Sequence, residues 1–483
     1  MSAAYQSSRL AHPWRPHAAG LVTASVLSCL CLAWLAAHGR YKYAAVLLVL
    51  VPLGAFVLDR QQNGALLGLA LIILVPWWVT FGSSAAKVGV VAPLLATTGV
   101  LAPLLVRESE RAGLNFIDLA FAAFVVAAIV SWVSTGPYSH SSVTAILLLL
   151  APCGFYVAAR NLGNADWGAT CWILVAGGAL ASLPLFYETL VIHRPLFWPA
   201  SSYAWNAGPG GLFRPAGSFG GPPAAVNVLA MTTLCGLALL VRSRRSARPL
   251  IVTLLLVSGA GMVITFTRAG LIGFFIGAVV FVLLWRPVLL GRLAVGLAAV
   301  GIAFALVILP VVGAKSWYRE GIDRSGTFAN RQARWVLAWP VITNTPKHVV
   351  FGHGINSLLV GHPEGLSGEP QADLAAVPIL VTDSPHSQYI RTLLEQGFLG
   401  LGLLLVWLLG TIAAGVKAVP RVPPEDRAVL AGSVAGIVSF IVVALVDDNL
   451  RDPAGFAIVA LLSGFVAART RQAGRPTVPP EIR

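Results

Sequence analysis

Apolar runs of about twenty residues, separated by short polar breaks, recur from Ala18 to Ala468. Each is close to the ~20 residues that an α-helix needs to cross a hydrocarbon core, and a backbone in lipid has to satisfy its N–H and C=O groups within the segment. The spacing predicts spans near 18–38, 43–58, 64–82, 87–106, 116–135, 142–159, 167–190, 223–242, 249–267, 270–285, 293–313, 389–414, 428–446 and 453–468. The fold class expected is an all-α polytopic membrane protein with about 12–14 transmembrane helices. Composition agrees: 11% of the residues are charged, against roughly one-quarter in soluble domains.

The polar breaks then fix an orientation. Counting alternate breaks puts Arg60, Arg107, Arg111, Arg160, Arg242, Arg244, Arg245, Arg248, Arg286, Arg292, Lys417, Arg421 and Arg427 on one face together with both termini. By the positive-inside rule that face is cytoplasmic. The net charge of +14 is scattered between the spans and forms no stripe, so no nucleic-acid partner is expected. The first apolar run follows Arg9 and Arg15 without a small-residue cleavage site and is expected to be retained. Cys29, Cys31, Cys153, Cys171 and Cys235 all fall inside apolar runs without CxxC spacing, which reads as small core residues.

Two breaks are long, and both fall on the exterior face. The expected organisation is N-terminal helices at 1–190, a loop at 191–222, central helices at 223–313, a large loop at 314–388, C-terminal helices at 389–468 and a cytoplasmic tail at 469–483. The first loop is rich in Gly, Pro and aromatic residues, suited to an irregular loop with Trp198, Tyr203 and Trp205 at headgroup level. The second holds a short amphipathic helix in "NRQARWVLAWPVITNTP", with Arg331 and Arg334 one turn apart and Pro340 expected to kink or end it.

Ionisable side chains gather where these loops meet the spans. His386 in "DSPHSQYIRTLLEQGFLG" has an ordinary pKa near 6.5 and suits a general base for an acceptor hydroxyl, or equally a histidine that caps the helix. Arg391 and Glu395 lie four apart and suit a supporting pair. Arg214, Arg268 and Arg334 place guanidinium groups beside the same face, where their planar fork matches phosphate oxygens; snorkelling to headgroups is the plainer alternative for Arg268. Three arginines with one histidine suit a lipid-linked diphosphate. No Walker loop, GxGxxG, HExxH or exterior DxD-type carboxylate pair is present, and His348, His353 and His362 lack helical metal-ligand spacing, so no cofactor and no metal are expected.

"FRPAGSFGGPPAAVNVLAM", "FTRAGLIGFFIGAVVF", "NRQARWVLAWPVITNTPKHVVFGHGINS" and "DSPHSQYIRTLLEQGFLGLGLLL" occur in this order. Together they resemble the O-antigen ligase and O-antigen polymerase superfamily of bacterial envelope glycosyltransferases. The likeness covers about 200–415, and its most specific piece is His386, Tyr389, Glu395, Gly397 and Gly400. One departure is "GGPPAAVN", where many relatives have a Pro-Asn pair.

The resemblance implies a GT-C type fold in the bacterial inner membrane, with the large loop periplasmic. It implies transfer of glycan from an undecaprenyl-diphosphate-linked oligosaccharide donor, without nucleotide sugar or metal. The acceptor hydroxyl would belong to lipid A-core, another lipid-linked glycan or protein. On the matching positions, His386 is the base for that hydroxyl, Arg214, Arg268 and Arg334 hold the diphosphate, and Arg331, Tyr389, Arg391 and Glu395 support them. A transporter without bond chemistry is the alternative, although transporters place polar groups near the bilayer midplane.

Overall fold

The computed structural model describes residues 73, 114–135, 152–160, 164–196, 213–219, 221–289, 291, 325–355, 385–448, 450 and 452–473. The expected spans at 18–38, 43–58, 87–106 and 293–313 lie outside them, as do all but residue 73 of 64–82, 142–151, Cys29, Cys31, Trp198, Tyr203, Trp205, His362 and the last ten residues of the tail. The described elements are α1 (Phe116–Thr135), α2 (Asn164–Tyr187), α3 (Pro222–Arg242), α4 (Arg248–Ile264), α5 (Arg268–Trp285), α6 (Ser325–Thr343), α7 (Pro346–Phe351), α8 (Gln388–Ala418), α9 (Pro424–Ala444) and α10 (Pro453–Ala473). A π-helical turn, Glu188–Ile192, extends α2, and a further helical stretch covers 152–160.

Seven of these are long and apolar enough to cross a membrane: α1, α2 with its π turn, α3, α5, α8, α9 and α10. The protein is therefore an all-α polytopic membrane protein. Helix α4, at 17 residues, spans only about 25 Å at 1.5 Å per residue, short of a ~30 Å core. Its hairpin with α5 turns over Thr265, Phe266 and Thr267 alone, with Phe266 at φ 52°. The start of α3 at Pro222, with proline in its first turn, shows how "GGPP" opens this helix without a Pro-Asn pair.

Of the two outcomes expected at Pro340, a kink or an end, the end does not occur; α6 runs on to Thr343. Pro340 lies in its last turn, and both it and Val336, whose carbonyl loses its donor, are exposed. Helix α8 likewise outruns the expected 389–414 and reaches Ala418.

The bundle is built around α3 and α9, which pack against each other and against α5 and α10. Backbone closeness comes from small residues: Gly273 and Gly277 of α5 face Ser439 and the Ala435 carbonyl of α9, where a Cβ would meet backbone oxygen at 2.9 Å. Outward surfaces are apolar instead, with Val126 and Val130 of α1, Leu256 of α4, Ile272 and Leu283 of α5, and Leu409 of α8 at least 40% exposed. Such surfaces suit lipid and not water.

Charges sort to the two ends of the bundle. At one end Asp118 pairs with Arg160 at 2.9 Å and accepts the Tyr156 hydroxyl, and Asp426 pairs with Arg469 at 3.3 Å. The other end gathers the end of α2, the starts of α3, α5, α8 and α10 and the end of α9. Cys153, Cys171 and Cys235 carry free thiols in the packed interior or against it.

Helix α8 is broken at Gly397, whose φ of 66° and ψ of −170° are not helical. The segment after α7 fills the break: His353 N–H donates to the Leu394 carbonyl at 2.8 Å and Gly354 N–H to the Glu395 carbonyl at 2.9 Å. The Ser131 hydroxyl of α1 also donates to the Glu395 carbonyl. Gly352, at φ 71°, and Gly397 cross so closely that a Cβ on either would collide with the other strand's backbone. Both contacts require glycine. Gly397→Ala and Gly352→Ala are each expected to cost about 2 kcal/mol or more through strain and lost contact, read as reduced thermal stability of the detergent-purified protein.

Candidate functional site

The approach to α8 is held from three sides. Trp335 of α6 donates its indole N–H to the Pro385 carbonyl at 2.9 Å, fixing the residue before His386. Ala338, Val341 and Ile342 of the same helix pack on Leu393 and Leu394 of α8, and His353, buried, lies 2.9 Å from the Val341 carbonyl. His353 is thus a buried histidine in the loop that follows α7, and its ring lies against His348 with centroids 3.9 Å apart. His386 itself has φ 49°, an uncommon conformation for any residue but glycine. Ser387 then begins the helix, and its side chain makes no cap hydrogen bond.

The third side is the break between α9 and α10, "LVDDNLRD". Gln388 stitches it to α8: its N–H donates to the Asp447 carbonyl at 3.0 Å, and its side-chain oxygen accepts the Leu450 N–H at 2.9 Å. The Tyr389 hydroxyl donates to the Ile441 carbonyl at 3.0 Å, satisfying a carbonyl in the last turn of α9. Asp452 caps α10 by accepting the Gly455 N–H at 3.0 Å.

Asp447 and Asp448 remain, and they face His386. Ligand-capable atoms of His386, Asp447 and Asp448 all lie within 4.8 Å of one another. Asp448 is paired with Arg391 at 2.6 Å, and Arg391 also grips Glu395 at 2.8 Å, all three side chains being nearly buried. Burial pushes the Asp447 carboxyl up to about 8, reinforced by the negative charge of Asp448 and opposed by the Arg331 guanidinium of α6.

The sequence reading, which looked for a DxD-type pair on this face, did not single out these two carboxylates. Asp447 and Asp448 are adjacent in a break that the alternating count already placed opposite the basic loops. With His386 they have a spacing that a cation accepts, yet Arg391 already compensates Asp448 and Arg331 acts on Asp447. That donor set fits a histidine flanked by carboxylates better than a divalent metal.

A second group forms around Arg214. Its Nε donates to the Thr265 carbonyl at 3.2 Å and its Nη2 to the Thr267 hydroxyl at 2.8 Å, so the guanidinium braces the α4–α5 turn. Thr267 immediately precedes Arg268, the exposed first residue of α5. Because α5 runs antiparallel to α9 with Gly273 against Ser439 and Val443, its N-terminus lies at the end of α9 from which Asp447 and Asp448 follow. The groups around His386 and around Arg214 thus share one end of the bundle. Arg334 is half-buried on α6 beside Trp335.

The helices and this gathering of arginines and a histidine–carboxylate cluster define a polytopic membrane protein with its polar site at one end of the bundle. Residues 253–405 match the family model described as O-antigen ligase, and this segment is thereby similar to the O-antigen ligase and polymerase superfamily. No curated protein matches the chain. The matched segment holds Arg268, Arg331, Arg334, His386, Arg391 and Glu395, while Arg214, Asp447 and Asp448 flank it.

Removing Arg391 while leaving both carboxylates buried is the most damaging single change expected here. Arg391→Leu is expected to cost about 3 kcal/mol or more, seen as loss of folded protein by size-exclusion chromatography, with Asp448→Asn markedly milder.

Proposed function

We propose that the chain is a membrane glycosyltransferase of the O-antigen ligase or polymerase type, with a GT-C type fold in the bacterial inner membrane and both termini cytoplasmic. It moves glycan from an undecaprenyl-diphosphate-linked donor to an acceptor hydroxyl at the periplasmic end of the bundle. The observation that carries this reading is the placing of His386 within 4.8 Å of two carboxylates, at the end where Arg214, Arg268, Arg331 and Arg334 are borne by neighbouring elements.

In the proposed step the acceptor oxygen attacks the anomeric carbon and forms the new C–O bond as the bond from that carbon to the diphosphate oxygen breaks. The acceptor proton passes to the His386 imidazole, and the bonding electrons leave with the lipid diphosphate. Attack opposite the leaving group inverts the anomeric centre. The positioned base is worth about 10²–10⁴-fold, and Asp448, joined by Asp447 once that carboxyl is ionised, stabilises the imidazolium so formed. Arg214, Arg268 and Arg334 meet the charge that grows on the diphosphate, each such donor typically contributing a few kcal/mol. Arg331, Tyr389, Arg391 and Glu395 hold the frame. The polar groups sit at the bundle end and not at the midplane of the spans, which favours bond chemistry over transport.

Ligase and polymerase differ only in acceptor. After deletion, accumulation of lipid-linked single repeats identifies a polymerase and full-length glycan left on the carrier identifies a ligase, both visible on gels of surface and lipid-linked glycans.

His386→Ala is expected to lower transfer at least 100-fold at normal protein level, a general-base magnitude; full transfer by that variant sinks the assignment. Arg334→Lys keeps the charge but loses the fork, and is expected to weaken donor use. Raising the pH through about 8 ionises Asp447 and adds a second negative charge beside the imidazolium. Transfer is therefore expected to rise across that range, and Asp447→Asn to keep the low-pH rate and lose the rise, as read in pH–rate profiles.

A further inference from the structure

Glu188 is fully buried at the end of α2 and takes no part in the chemistry above. It opens the π-helical turn, a widening that often marks functional positions. Its carboxylate is met by backbone donors: Leu196 N–H reaches Oε1 at 2.8 Å, and Ala216 and Gly217 N–H reach Oε2 at 2.9 Å each. A buried carboxylate is costly unless such bonds satisfy it.

Two of those donors belong to the segment that carries Arg214. Around it Phe213, Pro215, Ala216, Gly217, Ser218 and Phe219 are buried, and Gly217 adopts φ 55° with its α-carbon against Leu185 of α2. Arg214 is therefore held at one end by Glu188, through the backbone two and three residues on, and at the other by the Thr265–Thr267 turn that precedes Arg268. Beyond the direct packing of α2 on α4, Glu188 thus connects the end of α2 to the turn of the α4–α5 hairpin through Arg214.

We infer that Glu188 is a positioning residue for diphosphate recognition, acting through Arg214; this rests on the proposed role of Arg214. A carboxylate suits the task because both oxygens accept. A glutamine in its place offers one acceptor and turns an NH₂ group on the remaining N–H donors. That change loosens the segment without removing its apolar packing.

The test uses the full-length protein and farnesyl diphosphate as probe, so no glycan need be known. Glu188→Gln and Arg214→Ala are each expected to raise the Kd for farnesyl diphosphate about tenfold, a charge-assisted hydrogen-bond magnitude, and the double variant to raise it no further than Arg214→Ala alone. Melting temperatures of the variants are measured alongside. Should Glu188→Gln fail to fold, Glu188→Asp, which keeps the charge on a shorter stem, is expected to fold and to weaken binding in the same non-additive way.

Wild-type binding by Arg214→Ala overturns the reading on which the inference rests, and the inference with it. Impaired binding by Arg214→Ala beside wild-type binding by a folded Glu188 variant overturns the inference alone. So does a double variant whose loss is the product of the two single losses, because a residue with a merely structural role shows that independence.

Discussion

Arg391 is the interaction on which the site depends. It holds Glu395 one turn further along its own helix and Asp448 on the break between the last two spans, so each of the three buried charges at the membrane boundary has an opposite charge in contact. Without that grip, the break has no electrostatic reason to lie against the start of α8. The Gln388 stitches and the Tyr389 bond to α9 fix its register, but it is the buried guanidinium that makes leaving it unfavourable. Everything around His386 inherits its position from this pairing.

The same economy governs the strain. His386 and Phe266 both sit at positive φ without being glycine, one at the mouth of α8 and the other in the turn braced by Arg214. Neither conformation is stable by itself. The Trp335–Pro385 bond, the Arg214–Thr265 bond and the buried surroundings impose them. His193, just after the π turn that Glu188 opens, is the third such residue among those described; at His386 and Phe266 the supporting contacts come from other elements of the chain.

How much of this was legible in the sequence follows from the kind of signal each residue leaves. Among the described residues the spans were readable because apolar length is a one-dimensional property, and their boundaries moved by only a few residues. Arg391 and Glu395 were readable as a pair because i,i+4 spacing is local to one helix. Asp447 and Asp448 were not, since their meaning comes from a histidine some sixty residues away in sequence, across two helices. Glu188 looked like a charge at a span end, because the partners that give it a purpose are backbone N–H groups, which no side-chain pattern announces. Pro340 was over-read: the carbonyl it deprives lies on an exposed face near a helix end, where the loss is small.

The clasp between Gly352 and Gly397 has one more implication. It ties the segment ending at Ile355 to the third turn of α8, while Trp335 of α6 holds Pro385, just before the first. The mouth of α8 is thus held by α6 and its third turn by the segment after α7, two supports that are adjacent in sequence, so a displacement of that helical pair would reach His386 and the broken turn of α8 together.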